Sequence, residues 1–371
     1  NTTVALVLLV ACIALGLALP IHQTTGFWHI SIFIYIFIAS VVPVWALLQP
    51  RDYLNSYLLV AMIVAAIVGI FVYNPSINLS AFNGFVVKGQ YLFPTLFVTI
   101  ACGAISGFHS LVGSGTTAKQ LDNEKDARPI AYGGMLIECA LALISLCAVG
   151  YIWQEYVGGL RTPTTVFATG LSRMVATIPG LAASESTVKA LLILAVSAFC
   201  LTSLDTATRL ARYMFQEFWL KPGQTYKDVT GFKKTLCNPF VATLITVVLG
   251  IGLGLGGYSK IWPLFGAANQ LLAALALLAV AAWLGNIGKN NKMFLFPMGF
   301  MLVVTLCSLA QTIVAKVGVI TSGNAVLKSG GVDVAPYIQA GLGAVLFVLA
   351  LVLAVEGINT LKNKKPSETA K

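Results

Sequence analysis

Few residues in this sequence can do chemistry, and they are clustered. The stretch from Ile100 to Gly134, IACGAISGFHSLVGSGTTAKQLDNEKDARPIAYGG, joins an apolar run of membrane length to a segment rich in charge. Tyr91 to Phe108 is long enough to enter a bilayer but carries Pro94, Gly103 and Gly107, which weaken a continuous helix. Amides freed at depth must be satisfied by protein, water or a solute, so irregular backbone there lines a cavity. Ser106, His109, Ser110, Ser114, Thr116 and Thr117 stand in or beside this loosened segment, with Gly113 and Gly115 relaxing the backbone. That composition fits a site for a small polar or anionic solute. The same letters also suit a helix end followed by a loop, and both readings stay open. A dinucleotide-binding G-x-G-x-x-G is excluded, because no strand precedes and the spacing is wrong. Ser114 with His109 as its base lacks an acid partner and a nucleophile elbow.

Ionisable groups at depth are the sharper signal, since a charge at mid-bilayer costs roughly 3 kcal/mol or more. Glu138 lies in one apolar run and Asp205 at the end of another, in FCLTSLDTATR. With His109 they form a candidate relay for a proton or a gate for an ion, imidazole being a side chain able to carry a proton. The structural alternatives are concrete. Arg209 follows Asp205 by four residues, the spacing of a helical ion pair. Glu138 also fits a helix start, where the dipole favours a carboxylate, and His109 fits a helix end. Asn269 and Gln270, adjacent in WPLFGAANQ, must find partners in a dry environment, either between helices or on a solute. Gln311 and Thr312 are weaker versions of the same feature.

The elements that position these residues are membrane helices. A chain of 371 residues with 58% hydrophobic and 10% charged residues, at a mean hydropathy of +0.87, is no water-soluble globule. About ten apolar runs reach the length of a span. They fall near 3 to 20, 28 to 48, 57 to 73, 90 to 109, 132 to 154, 187 to 205, 237 to 257, 261 to 284, 293 to 315 and 335 to 358. The residues at 164 to 177 suit either a short amphipathic helix on the membrane surface or a re-entrant piece. Pro43 is expected to kink the second span, with Arg51 and Asp52 anchoring its end at the interface. Placing Arg51 inside puts sixteen basic residues on the cytoplasmic side and seven outside, with both chain ends in the cytoplasm. The net charge of +10 thus reports orientation rather than nucleic acid. Gly250, Gly252, Gly254 and Gly256 are expected to permit close helix contact. The seven cysteines show no C-x-x-C pair and read as small core residues, and with three histidines in all, no metal or other cofactor is expected.

Four segments resemble, in order, the signatures of one family. They are PVWALLQPRDYLNSYLL, ACGAISGFHSLVGSGTTAKQLDNEKDARPIAYGGMLIE, SLDTATRLARYMFQE and IWPLFGAANQLLAALALL, and the resemblance extends over nearly all of the chain. The family is the carbon starvation protein A (CstA) family of bacterial inner-membrane transporters. It implies uptake of peptides or of small carboxylates such as pyruvate, driven by proton or cation entry. It also implies an inverted-repeat fold like that of the amino-acid/polyamine/organocation (LeuT-like) transporters. Family members carry a further N-terminal membrane portion. Because this chain opens on Asn1 at the edge of an apolar run, upstream sequence is expected.

The reading is therefore an all-α polytopic bundle of about ten spans: a transporter domain over 1–358, the C-terminal portion of the family domain, and a cytoplasmic tail over 359–371. Ser106, His109, Ser114, Thr116, Thr117, Asn269 and Gln270 are the expected solute contacts. Asp205, Glu138 and His109 are the expected coupling groups. The partners are a carboxylate or peptide, a proton or Na⁺, and membrane lipid. No constellation for an enzyme is present; the alternatives are a non-transporting membrane subunit or a ligand sensor in a transporter fold.

Overall fold

The computed structural model describes residues 2–87, 90–100, 103, 105–159, 162–179, 184–221, 223–255, 258–325 and 333–362. It is all-α apart from one two-residue-a-side hairpin, β1 (Val86–Val87) and β2 (Gln90–Tyr91). Its helices are α1 (Thr2–Ala18), α2 (Thr25–Val41), α3 (Val44–Tyr73), α4 (Phe97–Ile100), α5 (Gly107–Gly115), α6 (Ala127–Tyr151), α7 (Trp153–Gly158), α8 (Pro163–Val175), α9 (Glu185–Trp219), α10 (Gly231–Leu236), α11 (Pro239–Leu255), α12 (Tyr258–Asn286), α13 (Lys292–Thr321) and α14 (Ala335–Lys362). Among the described residues, six helices are long and apolar enough to cross a membrane: α3, α6, α9, α12, α13 and α14. Three more, α1, α2 and α11, are apolar but shorter. Their outward faces carry large apolar side chains such as Phe71, Phe218 and Phe296, a surface suited to lipid rather than water. The chain is a multi-pass membrane protein.

Two compact units divide it, Asn1–Ser80 with Leu136–Gly250, and Ala81–Met135 with Ile251–Lys371. The first is built around α8. This helix starts with Pro163 at its first turn, where the missing N–H costs nothing. Leu171 and Val175 enter one apolar cluster with Met62 and Ala66 of α3, Ile144 and Ala148 of α6, and Leu192 of α9. Glycines set the approach. A Cβ on Gly170 would lie 2.5 Å from the Ala148 carbonyl oxygen, and one on Gly69 would lie 3.1 Å from the Met174 backbone. Without a hydrophobic drive between spans, close approach of small residues supplies the packing energy. The amphipathic pattern at 164 to 177 is thus a buried helix and not one laid on the membrane surface, because both its faces meet protein. Arg173 ties its end to its neighbours, holding both oxygens of Glu155 at 2.5 and 3.1 Å and one of Glu185 at 3.3 Å.

The second unit packs α12, α13 and α14 together, with Leu264, Ala267, Val304 and Leu309 at its core and Val98 of α4 joining them.

Three expectations change. The second span is not one kinked helix ending at Arg51. It stops at Val41, Val42 and Pro43 are extended, and α3 then runs unbroken through Pro50, Arg51 and Asp52 to Tyr73. The residue before a proline avoids the helical region, which places the break at Val42. The glycines at 250, 252 and 254 do not pack closely, for none has a described atom within 4 Å of where a Cβ would stand, and Gly256 lies outside the described residues. The six described cysteines are free, yet Cys237 is the one among them that is buried; Cys102 lies outside the described residues. Of the expected tail, residues up to Lys362 continue α14 and 363–371 lie outside the described residues.

Gly170→Ala should lower thermal stability by about 1–3 kcal/mol, the cost of forcing a methyl against fixed backbone, while Gly250→Ala should not; detergent-solubilised melting curves compare them. Arg173 holds the Glu155 carboxyl below the usual carboxylate range. The pair's small contribution is therefore present above about pH 4.3, the unfolded value, and lost as pH falls through the folded one. Wild type should melt slightly higher than Glu155→Gln at pH 7, and the difference should shrink as the pH is lowered through the acid range.

Candidate functional site

Asp205 has no exposed surface at all. It sits on α9, and its Oδ2 accepts a hydrogen bond from the Tyr35 hydroxyl of α2 at 3.0 Å. The Arg51 guanidinium of α3 reaches the same oxygen and also the Tyr35 hydroxyl through Nη1, while its Nη2 donates to Asp52 Oδ1 at 2.9 Å. One oxygen of this carboxylate is clamped, and among the described residues the other, Oδ1, is buried without a hydrogen-bond partner.

The elements that deliver these groups follow from a ladder of contacts along α9. Thr202 accepts from Asn55 at 3.1 Å, Asp205 meets both Arg51 and Tyr35, and Arg209 Nη2 donates to the carbonyls of Ala39 and Val42 at 2.5 and 2.6 Å. Numbers rise along α2 as they rise along α9, and along α3 they rise as those of α9 fall. The chain therefore reverses at Val42–Pro43, and α2 and α3 form two arms laid on α9. Arg209 supplies donors to carbonyls that the break deprives of theirs. Ser40 and Thr243 share a hydroxyl contact at 3.3 Å that ties the same arm to α11.

The pairing expected between Asp205 and Arg209 is thus not made: Arg51 takes the carboxylate, and Arg209 turns to backbone that a helix break has exposed. Arg51 is not a mere interfacial anchor either, since Asp52 and Asp205 share it. Sequence reasoning missed Tyr35 and the role of Arg51. The signal was present in Arg51 itself, which with Asp52 stands about 10 Å, at 1.5 Å per residue, into a helix otherwise without charge.

In the second unit, Ser106 and Asn269 come together as neighbours. The Asn269 side chain lies 3.1 to 3.2 Å from the Ser106 hydroxyl, and its Oδ1 accepts from Phe108 N at 2.8 Å. An amide on α12 therefore caps the first turn of α5. Gly107 allows it, for a Cβ there would lie 2.4 Å from the Asn269 carbonyl oxygen. Gln270 is fully buried, and among the described residues neither its Oε1 nor its Nε2 has a partner. On α5, His109 and Ser114 are exposed, Thr116 is buried, and Ser114 and Thr116 donate to the carbonyls of Ser110 and Val112 at 2.9 and 2.8 Å. Gly113 and Gly115 are helical, so the relaxed backbone expected there is absent; Thr117 opens a single 3₁₀ turn after the helix ends. Tyr91 to Phe108 is interrupted as expected, between α4 and α5, with Ala101, Cys102 and Ala104 outside the described residues. Glu138 is half-buried on α6 in the first unit. Among the described residues no group of three or more His, Cys, Asp or Glu is placed to hold a metal.

The sequence matches the carbon starvation protein CstA family over residues 1–164 and 154–308. The chain belongs to this family. It is 33% identical to the peptide transporter CstA of Bacillus subtilis over 74% of the chain and 52% of that relative, and 32% identical to the peptide transporter CstA of Escherichia coli over 90% and 59%. It is 32% identical to the pyruvate/proton symporter BtsT of Escherichia coli over 66% of the chain and 44% of that relative. The chain thus spans about half the length of the curated relatives it matches. No solved structure matches it.

If Asp205 and Arg51 are one unit, Arg51→Ala strands a buried carboxylate and should destabilise this CstA-family chain by about 3–5 kcal/mol. Arg51→Ala with Asp205→Asn should recover most of that loss. A double-mutant cycle on thermal unfolding reads the coupling, and additive losses would show the two residues to be independent.

Proposed function

We propose that the chain forms the helical core of a secondary active transporter of the bacterial inner membrane, taking up small carboxylates such as pyruvate, or short peptides, with proton or Na⁺ entry. The observation that carries this reading is Asp205: a wholly buried carboxylate beside a broken helix, with one oxygen clamped and the other without a partner. Kinship with proteins named peptide transporter and pyruvate/proton symporter supports it. The finer architecture belongs to the same proposal: about ten spans, a LeuT-like inverted repeat and both chain ends in the cytoplasm.

The chemistry is a charge switch. With Asp205 ionised, Arg51 and Tyr35 hold α2 and α3 on α9. A proton on Oδ1 removes the charge that Arg51 answers and so loosens the hold on the two arms beside their turn, while a cation at Oδ1 changes the same balance without breaking the clamp. Either event biases a two-state element, which is what coupling requires. Glu138 and His109 are proposed as further carriers of the proton. Ser106, His109, Ser114, Thr116, Thr117, Asn269 and Gln270 are proposed as solute contacts. Hydroxyls, amides and exposed N–H groups donate to a carboxylate without trapping it as a full counter-charge would. Gln270 is the strongest of these, because a buried amide with no protein partner is satisfied once solute or water arrives.

Labelled pyruvate and a labelled dipeptide, offered to proteoliposomes with and without an inward proton or Na⁺ gradient, test the reading. One of them should accumulate only under a gradient. Asp205→Asn should abolish that accumulation and leave exchange in place. Binding without flux under every gradient would leave a sensor instead.

A further inference from the structure

Two arginines near the C-terminal end of α9 have no acid to answer them. Arg209 is 3% exposed and Arg212 is 6% exposed. They stand at i and i+3, about 5–6 Å apart at Cβ on one helical face. Among the described residues neither forms an ion pair. Asp205, one turn before Arg209, is taken by Arg51, and Asp52 by Arg51 as well. Glu217 lies on the exposed side, and Asp228 accepts from Thr225. Arg209 spends Nη2 on the Ala39 and Val42 carbonyls, at the C-terminal end of α2 where a helix offers partial negative charge. Arg212 has less: a side-chain hydrogen bond with the neighbouring Tyr213, whose ring centre lies 4.7 Å from its guanidinium. The Nε of each arginine is buried without a partner.

A lysine buried this way escapes the cost by releasing its proton; a guanidinium cannot. An uncompensated buried charge costs several kcal/mol, and the planar fork of an arginine matches carboxylate and phosphate oxygens. We propose that Arg212, with Arg209 behind it, forms a buried binding site for an oxyanion. Arg212 makes the contact. Arg209 adds charge and holds the α2–α3 turn, so that an anion bound here also steadies the turn beside Asp205. The oxyanion has two possible sources, the phosphate of an anionic lipid headgroup or the carboxylate of a soluble solute. Helix α9 ends shortly afterwards in a segment bearing Lys221 and Lys227, whose charge draws either one to this end. The site stands apart from the transport reading, because it is defined by binding and needs no flux.

The purified protein in phosphatidylcholine nanodiscs is titrated separately with dihexanoyl phosphatidylglycerol and with pyruvate, and binding is read by calorimetry. At least one should saturate the wild type, and Arg212→Gln should weaken it about ten- to a hundredfold, the range of a charge-assisted hydrogen bond. Saturation by the phosphatidylglycerol alone identifies a headgroup site, by pyruvate alone a solute site, and by both in competition a general oxyanion site. Arg212→Lys keeps the charge and loses the fork, so it should also weaken binding, and it serves where Arg212→Gln does not fold. Failure of both probes to bind the wild type, or equal affinity for wild type and the variant that folds, would overturn the proposal.

Discussion

A carboxylate with no access to water must be answered by the protein around it, and the first unit is arranged to answer Asp205. Arg51 and Tyr35 reach it from two helices that meet at a break, so the position of the break decides whether both can arrive. Had the turn come at Pro50, Arg51 would lie at its tip instead of about 10 Å along the returning arm. The break at Val42–Pro43 in turn leaves carbonyls without donors, and Arg209, one helical turn beyond Asp205, supplies them. One turn of α9 thus holds both the charge that gathers the two arms and the guanidinium that secures their junction.

The second unit solves a similar problem with an uncharged group. The start of α5 needs acceptors for its first N–H groups, and Asn269 of α12 provides one across a sequence separation of 161 residues. Gly107 lets the two backbones approach closely enough. In each unit an interrupted helix is held by a side chain on a long, continuous helix. The close-packed cluster around α8 uses the same device, with Gly170 and Gly69 bringing backbones together.

Buried polar atoms without partners concentrate on these helices: Asp205 Oδ1, Arg209 Nε and Arg212 Nε on α9, and both polar atoms of Gln270 on α12. Dry interiors do not tolerate many of these unless something else visits them. They lie on the same two helices whose side chains hold the interrupted helices.

Composition alone determined that the chain is a helical membrane protein, because so few charges and so many apolar runs have no other stable home. The four signature segments were enough to indicate the family. The broken stretch before His109 was also legible, since Pro94, Gly103 and Gly107 act through local backbone preference. Asp205, Asn269 and Gln270 were legible as polar groups out of place, but not what they touch. Only the tertiary structure decided that Asp205 belongs to Arg51 rather than Arg209, that the second span turns at Pro43 and not near Pro50, and that the amphipathic stretch at 164 to 177 is core. The reason is the same in each case. Two prolines, two arginines or two helix faces were equivalent locally, and the choice between them was made by partners on other helices, 154 and 170 residues away for Arg51 and Arg209 and on α3, α6 and α9 for the stretch at 164 to 177.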